Sequence, residues 1–276
     1  MDVLIRSSYQ EVSVCASRII AALVRRKPYA VLGLATGASP IGTYKELVRM
    51  HREEGLDFSH VTTFNLDEYL GIGKDMDRPY VEDQSYGRFM WEELFQGIEI
   101  PLEQTRVPDG LTEDAEAFCT RYEEMIRQVG GIDLQLLGIG RAGHWGFNEP
   151  GSSLASRTRV VALTQQTLDD NWDSFYYRAG GKREDMPHFA ITMGVGTILE
   201  ARHVLMLASG HRKAGVVARA LEGPLTSQVT ASAIQLHPGT ATVILDDAAA
   251  SDLVHIDHYR HVERLKSRYP LPRGAC

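Results

Sequence analysis

The chain has 276 residues, 43% hydrophobic and 24% charged, which are proportions of a globular protein and exclude a disordered or collagen-like one. With 36 acidic against 29 basic residues the net charge is −7 and no long Lys/Arg run is present, so nucleic acid is not expected as a partner. The opening MDVLIRSSYQ lacks an apolar core and no stretch approaches about 18 unbroken apolar residues, so neither a signal peptide nor a membrane span is expected. Cys15, Cys119 and Cys276 are odd in number and scattered, which fits reduced thiols in a cytoplasmic protein better than a disulfide framework.

Helix-like and strand-like segments alternate along the chain. Val12, Ala16, Ile19, Ile20, Leu23 and Val24 recur at helical spacing over 9–26, and Lys27-Pro28 closes that segment. AVLGLA (30–35) reads as a strand buried on both faces. Ser39-Pro40 then opens a helix to about Arg52, with Ser at the N-cap and Pro at the first helical position. VTTFNL (61–66) is a second strand, 71–84 a Gly/Asp/Pro-rich loop, and YGRFMWEELF resumes helical spacing. Ala115, Phe118, Tyr122, Met125, Ile126 and Val129 mark a helix ended by Gly130-Gly131, and IDLQLLGIG (132–140) a third strand. HVLMLAS (203–209) and ATVIL (241–245) are further strands, separated by a helix over 212–222, and a polar helical tail runs to about Tyr269.

Buried strands alternating with helices imply an α/β fold: a doubly wound, mostly parallel sheet with helices on both faces, a Rossmann-like three-layer sandwich. With no linker or repeat in view, one domain is expected to span 1–276. Ligands in such sheets bind beyond the carboxyl ends of the strands.

Four strand ends carry chemistry. Thr36-Gly37-Ala38-Ser39-Pro40 places small residues before a helix N-terminus, which suits an anion, although an ordinary strand–helix turn reads the same way. Asp67-Glu68 offers a general base, or else a solvated turn or helix cap. Gly138-Ile139-Gly140-Arg141-Ala142-Gly143-His144 and Gly146-Phe147-Asn148-Glu149-Pro150-Gly151 set a His at a strand end with a carboxylate five residues on, able to shuttle protons and fix the imidazole tautomer. Ser209-Gly210-His211-Arg212-Lys213 brings a lysine that can reach a phosphate or simply face solvent. No HExxH or GxSxG pattern is present, so neither a metal site nor a serine hydrolase is implied.

In this order the four pieces resemble the glucosamine-6-phosphate deaminase/isomerase family, related in fold to the 6-phosphogluconolactonases. The matching segments run from LGLATGASPIGTYKEL (32–47) through TTFNLDEYLGI (62–72), LGIGRAGHWGFNEPGSSLASRTR (137–159), ITMGVGTILEA (191–201), SGHRKA (209–214) and ALEG (220–223) to ASAIQLHP (231–238). The resemblance implies an enzyme of amino sugar catabolism that opens the ring of glucosamine 6-phosphate, isomerises it through an enolamine and releases ammonia to give fructose 6-phosphate. It implies that Asp67 moves the proton between C2 and C1, that His144 handles the ring oxygen, and that Glu149 orients His144. Thr36, Gly37, Ala38, Ser39 and Lys213 would hold the phosphate, with Glu68 and Gly143 also against substrate. No cofactor or metal is implied, and a homo-oligomer is possible.

The chain departs from the family pattern at two places. Ala142 stands where an acidic residue belongs to the His–carboxylate relay, and Asn171-Trp172-Asp173-Ser174 lacks a phosphate-binding arginine, for which Arg178, Lys182 or Arg183 could substitute. Ser152, Ser153 and Arg159 match parts of an allosteric site, but Val161 replaces its basic residue. These departures leave as alternatives a different hexose phosphate such as galactosamine 6-phosphate, a lactone, or a non-catalytic sugar-phosphate sensor.

Overall fold

A computed structural model describes residues 1–72, 85–172 and 186–268. The chain begins with β1 (Asp2–Arg6) and α1 (Tyr9–Arg26), whose first turn is capped by the Ser8 hydroxyl accepting from the Glu11 N–H. β2 (Val31–Leu34) and α2 (Ile41–Glu54) follow, then β3 (Thr62–Asn65), β4 (Asp67–Tyr69) and α3 (Tyr86–Met90), which runs on as a π-helical turn over Trp91–Phe95. After β5 (Thr105–Arg106) come α4 (Ala115–Gln128), β6 (Leu134–Leu137), β7 (Arg159–Ala162), α5 (Gln165–Asn171), β8 (Phe189–Thr192) and α6 (Val195–Leu199). β9 (His203–Ala208), α7 (Ala214–Leu221), β10 (Thr240–Asp246) and α8 (Ile256–Ser267) complete it.

Seven strands form one sheet in the order β1-β10-β9-β6-β2-β3-β5, and every neighbouring pair is parallel. α1, α2 and α3 cover one face through Ile20, Tyr44, Leu47 and Met90. α4, α6 and α7 cover the other through Tyr122, Ile198 and Val217. Each face hides apolar strand side chains on both sides, which is why the strands read as unbroken apolar runs.

From β2 the chain moves outward to β3 and β5, then returns to lay β6 on the opposite side of β2. β2 and β6 therefore flank the point where the strand order reverses, and their outgoing loops diverge to leave a crevice at the carboxyl edge of the sheet.

Some local expectations need correction. Ser39 does not cap α2: Pro40 takes the capping position and no side chain closes the helix end. Asp67-Glu68 is not a turn but part of β4, in a second, antiparallel sheet ordered β4-β8-β7. Cys119 is a free buried thiol. Most of the expected 71–84 loop, and Tyr269, lie outside the described residues. Among the described residues no helix is long and apolar enough to cross a membrane.

Candidate active site

The loop after β2 reaches the loop after β6 at Ser39, where a Cβ added to Gly138 would stand 3.4 Å from the Ser39 side chain. Gly37 has a φ of +91°, a left-handed conformation that glycine adopts freely. Residues 36–40 thus lead into α2 with their backbone at its N-terminus, where the helix dipole favours an anion.

Lys213 closes this crevice from the β9 side. Its Nζ donates to the Ile139 carbonyl at 2.8 Å, so the ammonium lies at the exit of β6. The turn that carries it is pinned by Asp246 at the end of β10, whose carboxylate accepts from the Gly210 N–H at 2.9 Å and the Ala249 N–H at 2.7 Å.

His144 packs flat against Gly140, where any Cβ would lie 2.1 Å from Nε2. Its Nδ1 lies 3.2 Å from Glu149 Oε2, close enough for a charged pair, but the ring is turned off the line that a hydrogen bond requires. The other oxygen, Oε1, accepts a hydrogen bond from the Thr167 hydroxyl and one from Thr164 at 3.3 Å. Burial pushes the Glu149 carboxyl up, but His144, Thr167 and Thr164 outweigh it and hold the group below the ordinary glutamate range.

Asp67 and Glu68 point to opposite sides of β4, as neighbours in a strand must. Asp67 faces the His144 loop: a Cβ on Gly146 would lie 3.0 Å from its Oδ2. Burial pushes its carboxyl up to about 7. Glu68 is also pushed up by burial, to about 8, and accepts from the backbone N–H groups of Tyr69 and Tyr86 at 3.0 Å and of Gly87 at 2.9 Å. Its two oxygens therefore tie β4 to the first turn of α3. Tyr86 bonds the Tyr69 hydroxyl at 3.2 Å and also the Thr36 side chain, which links this helix to the anion loop.

Thr36, Gly37, Ala38, Ser39, Asp67, Gly143, His144, Glu149 and Lys213 thus come together along one edge of the sheet, and Glu68 lies behind them. Gly143 has a φ of +83° and its N–H donates to the Gly140 carbonyl at 3.0 Å, closing the turn that presents His144. Arg159 is bonded to Asn148 at 2.8 Å and to Ser152 at 3.1 Å, while Ser153 turns to the Ala155 N–H. Asp173, Ser174, Arg178, Lys182 and Arg183 lie outside the described residues. Sequence reasoning missed Thr164, Thr167 and Asp246; the only available sign was the Thr-x-x-Thr spacing at a helix start, which alone speaks of capping.

A family model for glucosamine-6-phosphate isomerases and 6-phosphogluconolactonases matches residues 7–244. The chain belongs to this family. It is 51% identical over 241 residues to a glucosamine-6-phosphate deaminase of Cellvibrio japonicus, covering 87% of each chain. It is 47% identical over 261 residues to one from an Arthrobacter species, covering 95% of this chain and 96% of that one. Among solved structures, a monomeric glucosamine-6-phosphate deaminase superposes with a TM-score of 0.84 at 44% identity, over 91% of this chain and all of the other. A 6-phosphogluconolactonase of Leishmania guyanensis superposes at 0.67 with 21% identity, over 90% of this chain and 97% of that one, and this shows a shared fold alone.

Proposed function

We propose that this chain converts glucosamine 6-phosphate and water to fructose 6-phosphate and ammonia by aldose–ketose isomerisation with deamination. The observation that carries the reading is the placement of Asp67, a buried carboxyl raised to about 7, against the loop that bears the His144–Glu149 pair.

The phosphate is taken by the backbone of Thr36, Gly37, Ala38 and Ser39 at the start of α2, with Lys213 as a point charge. His144, oriented by Glu149, moves the proton between the ring oxygen and the C1 hydroxyl so that the ring opens. Asp67 takes the proton from C2 of the open-chain 2-amino aldehyde to give the enolamine and returns it to C1, which leaves a ketimine at C2 and a hydroxyl at C1. Water adds to the ketimine at C2 and ammonia leaves. A sugar C–H is a very weak acid, so a raised, desolvated carboxylate is suited to this task, and each positioned acid or base contributes roughly 10²- to 10⁴-fold. Glu68 and Gly143 serve the substrate by holding β4 and the His144 turn in place.

One domain spanning the chain carries this activity. It belongs in the cytoplasm, where ionised sugar phosphates are retained.

The test is direct. Purified protein with glucosamine 6-phosphate should release ammonia and fructose 6-phosphate in equal amounts, and faster than it acts on galactosamine 6-phosphate. Ligand-induced thermal stabilisation with no product at high protein concentration would replace the enzyme by a sensor.

A further inference from the structure

Glu149 must do more than lie near His144. A glutamate side chain has three rotatable bonds, and a carboxylate that wanders cannot select one imidazole tautomer. Among the described residues Glu149 is the carboxylate in ion-pair contact with His144, and Ala142 beside the Gly143-His144 pair has no group that could share the task. Something else has to hold Glu149.

Two hydroxyls at the start of α5 do so. Thr167 is buried and donates to Glu149 Oε1, the oxygen not facing His144. Thr167 is itself fixed: its N–H donates to the Thr164 Oγ1 at 3.2 Å, in the N-cap bond of the helix, and the two hydroxyls lie 3.1 Å apart. Thr164 Oγ1 also reaches Glu149 Oε1 at 3.3 Å. The chain of contacts runs from a helix backbone through Thr164 and Thr167 to one carboxylate oxygen, and from the second oxygen to His144 Nδ1. The far ring nitrogen, Nε2, lies over Gly140. A helix turn therefore anchors Glu149 from behind, through hydrogen bonds that go to the carboxylate and not to His144.

We propose that Thr167, held by Thr164, is a positioning residue of the relay: its hydroxyl holds the Glu149 carboxylate toward His144. The inference rests on the proposed reaction for its kinetic arm only.

The test compares Thr167→Val, which keeps the shape and removes the hydroxyl, with Thr167→Ser, which keeps the hydroxyl. The first readout needs no substrate: the side-chain carboxyl of Glu149 is titrated by carbon NMR in the full chain, assigned with Glu149→Gln. His144 is the titratable group bearing on this carboxyl, and Thr164 and Thr167 are its neutral partners. In Thr167→Val the Glu149 midpoint should rise by about one pH unit, since a hydrogen bond that favours the charged form is gone. In Thr167→Ser it should stay with the parent. The second readout is turnover of glucosamine 6-phosphate: Thr167→Val should lower kcat roughly tenfold with KM within about twofold, and Thr167→Ser should restore it. A Glu149 midpoint unchanged in Thr167→Val, or a serine variant as impaired as the valine one, would overturn the proposal. Should Thr167→Val not fold, Thr167→Ala takes its place in both arms with the same expectations. Absence of turnover in the parent would fail the proposed reaction and leave the titration to decide on Thr167.

Discussion

Gly140 leaves room for the His144 imidazole and for nothing else: a methyl group there would stand 2.1 Å from Nε2. Gly140 is not among the glycines with positive φ, so alanine is tolerated by the backbone and the nearest clash falls on the ring. Gly140→Ala should lower kcat/KM by at least about 10²-fold while the melting temperature stays close to the parent's, because displacing a catalytic group by about 1 Å costs that much. A Gly140→Ala enzyme with parental turnover would show that the ring is free to move.

Asp67→Asn should lower turnover by roughly 10²- to 10⁴-fold and leave the fold intact. The kcat/KM of the parent should fall as pH drops through about 7, where burial places the Asp67 carboxyl, since the base works only when ionised. Full activity in Asp67→Asn would remove it from the reaction.

The same residue should leave a mark on stability. Unfolded, the carboxyl titrates near 3.8; folded, near 7. Across that window the folded chain keeps a proton that the unfolded chain releases, so its contribution is fully present below about 3.8, declines as pH rises to about 7 and is gone above. Asp67→Asn removes the loss, and its unfolding free energy at pH 8 should exceed the parent's even as activity disappears. Denaturation curves at pH 5 and pH 8 check this; an equal difference between the two proteins at both values would refute it.

Lys213→Met should raise KM for the phosphorylated sugar by about 10- to 100-fold and change kcat far less, because a charge-assisted contact to the non-reacting phosphate is lost. Glucosamine without the phosphate should be handled equally by parent and variant. A loss confined to kcat would instead place the lysine at the reacting carbons.

Glu123 on α4 is a structural counterpart to Glu149. It accepts from the Thr158 N–H at 2.8 Å and from the Thr158 and Thr197 hydroxyls at 2.6 Å, which fastens the entry to β7 and α6 onto α4. Burial raises its carboxyl, and these bonds with Arg157 overcome it, so the net displacement is downward. Stability from this group is present above the unfolded glutamate value and lost as pH falls through the folded one. Glu123→Gln can keep an oxygen on these donors but turns an N–H₂ toward the Arg157 guanidinium, which donates to the other carboxylate oxygen, and should cost about 2–3 kcal/mol by chemical denaturation at pH 7; a neutral substitution would show that the network is not stabilising.

The parallel sheet was legible, and the residues of the candidate site could be picked out, because buried strands and glycine-rich exits leave local marks. Val31–Leu34, Leu134–Leu137 and His203–Ala208 are apolar throughout or nearly so, and each exit carries its functional residue within a few positions. The antiparallel β4-β8-β7 sheet was not legible. β4 is three residues long and opens with two acids, which by themselves read as a turn, and β7 is only half-buried, without clean alternation. The supports of the site escaped for a different reason: Glu68 bonds amides 18 and 19 positions away, and Thr167 reaches Glu149 across 18 residues. Such pairings follow from the tertiary path, and no spacing rule announces them.

β1 lies at the outer edge of the large sheet, and its partner there is β10. Asp2 pairs with Thr242 and Arg6 with Asp246, so the first of the described strands is seated on the last of them, and α8 fastens it through Arg6 to Glu263 at 2.8 Å. During synthesis β1 must wait, without its strand partner, until β10 has been made. Central strands such as β2, β3 and β6 can pair before then, so this edge of the sheet closes after its centre.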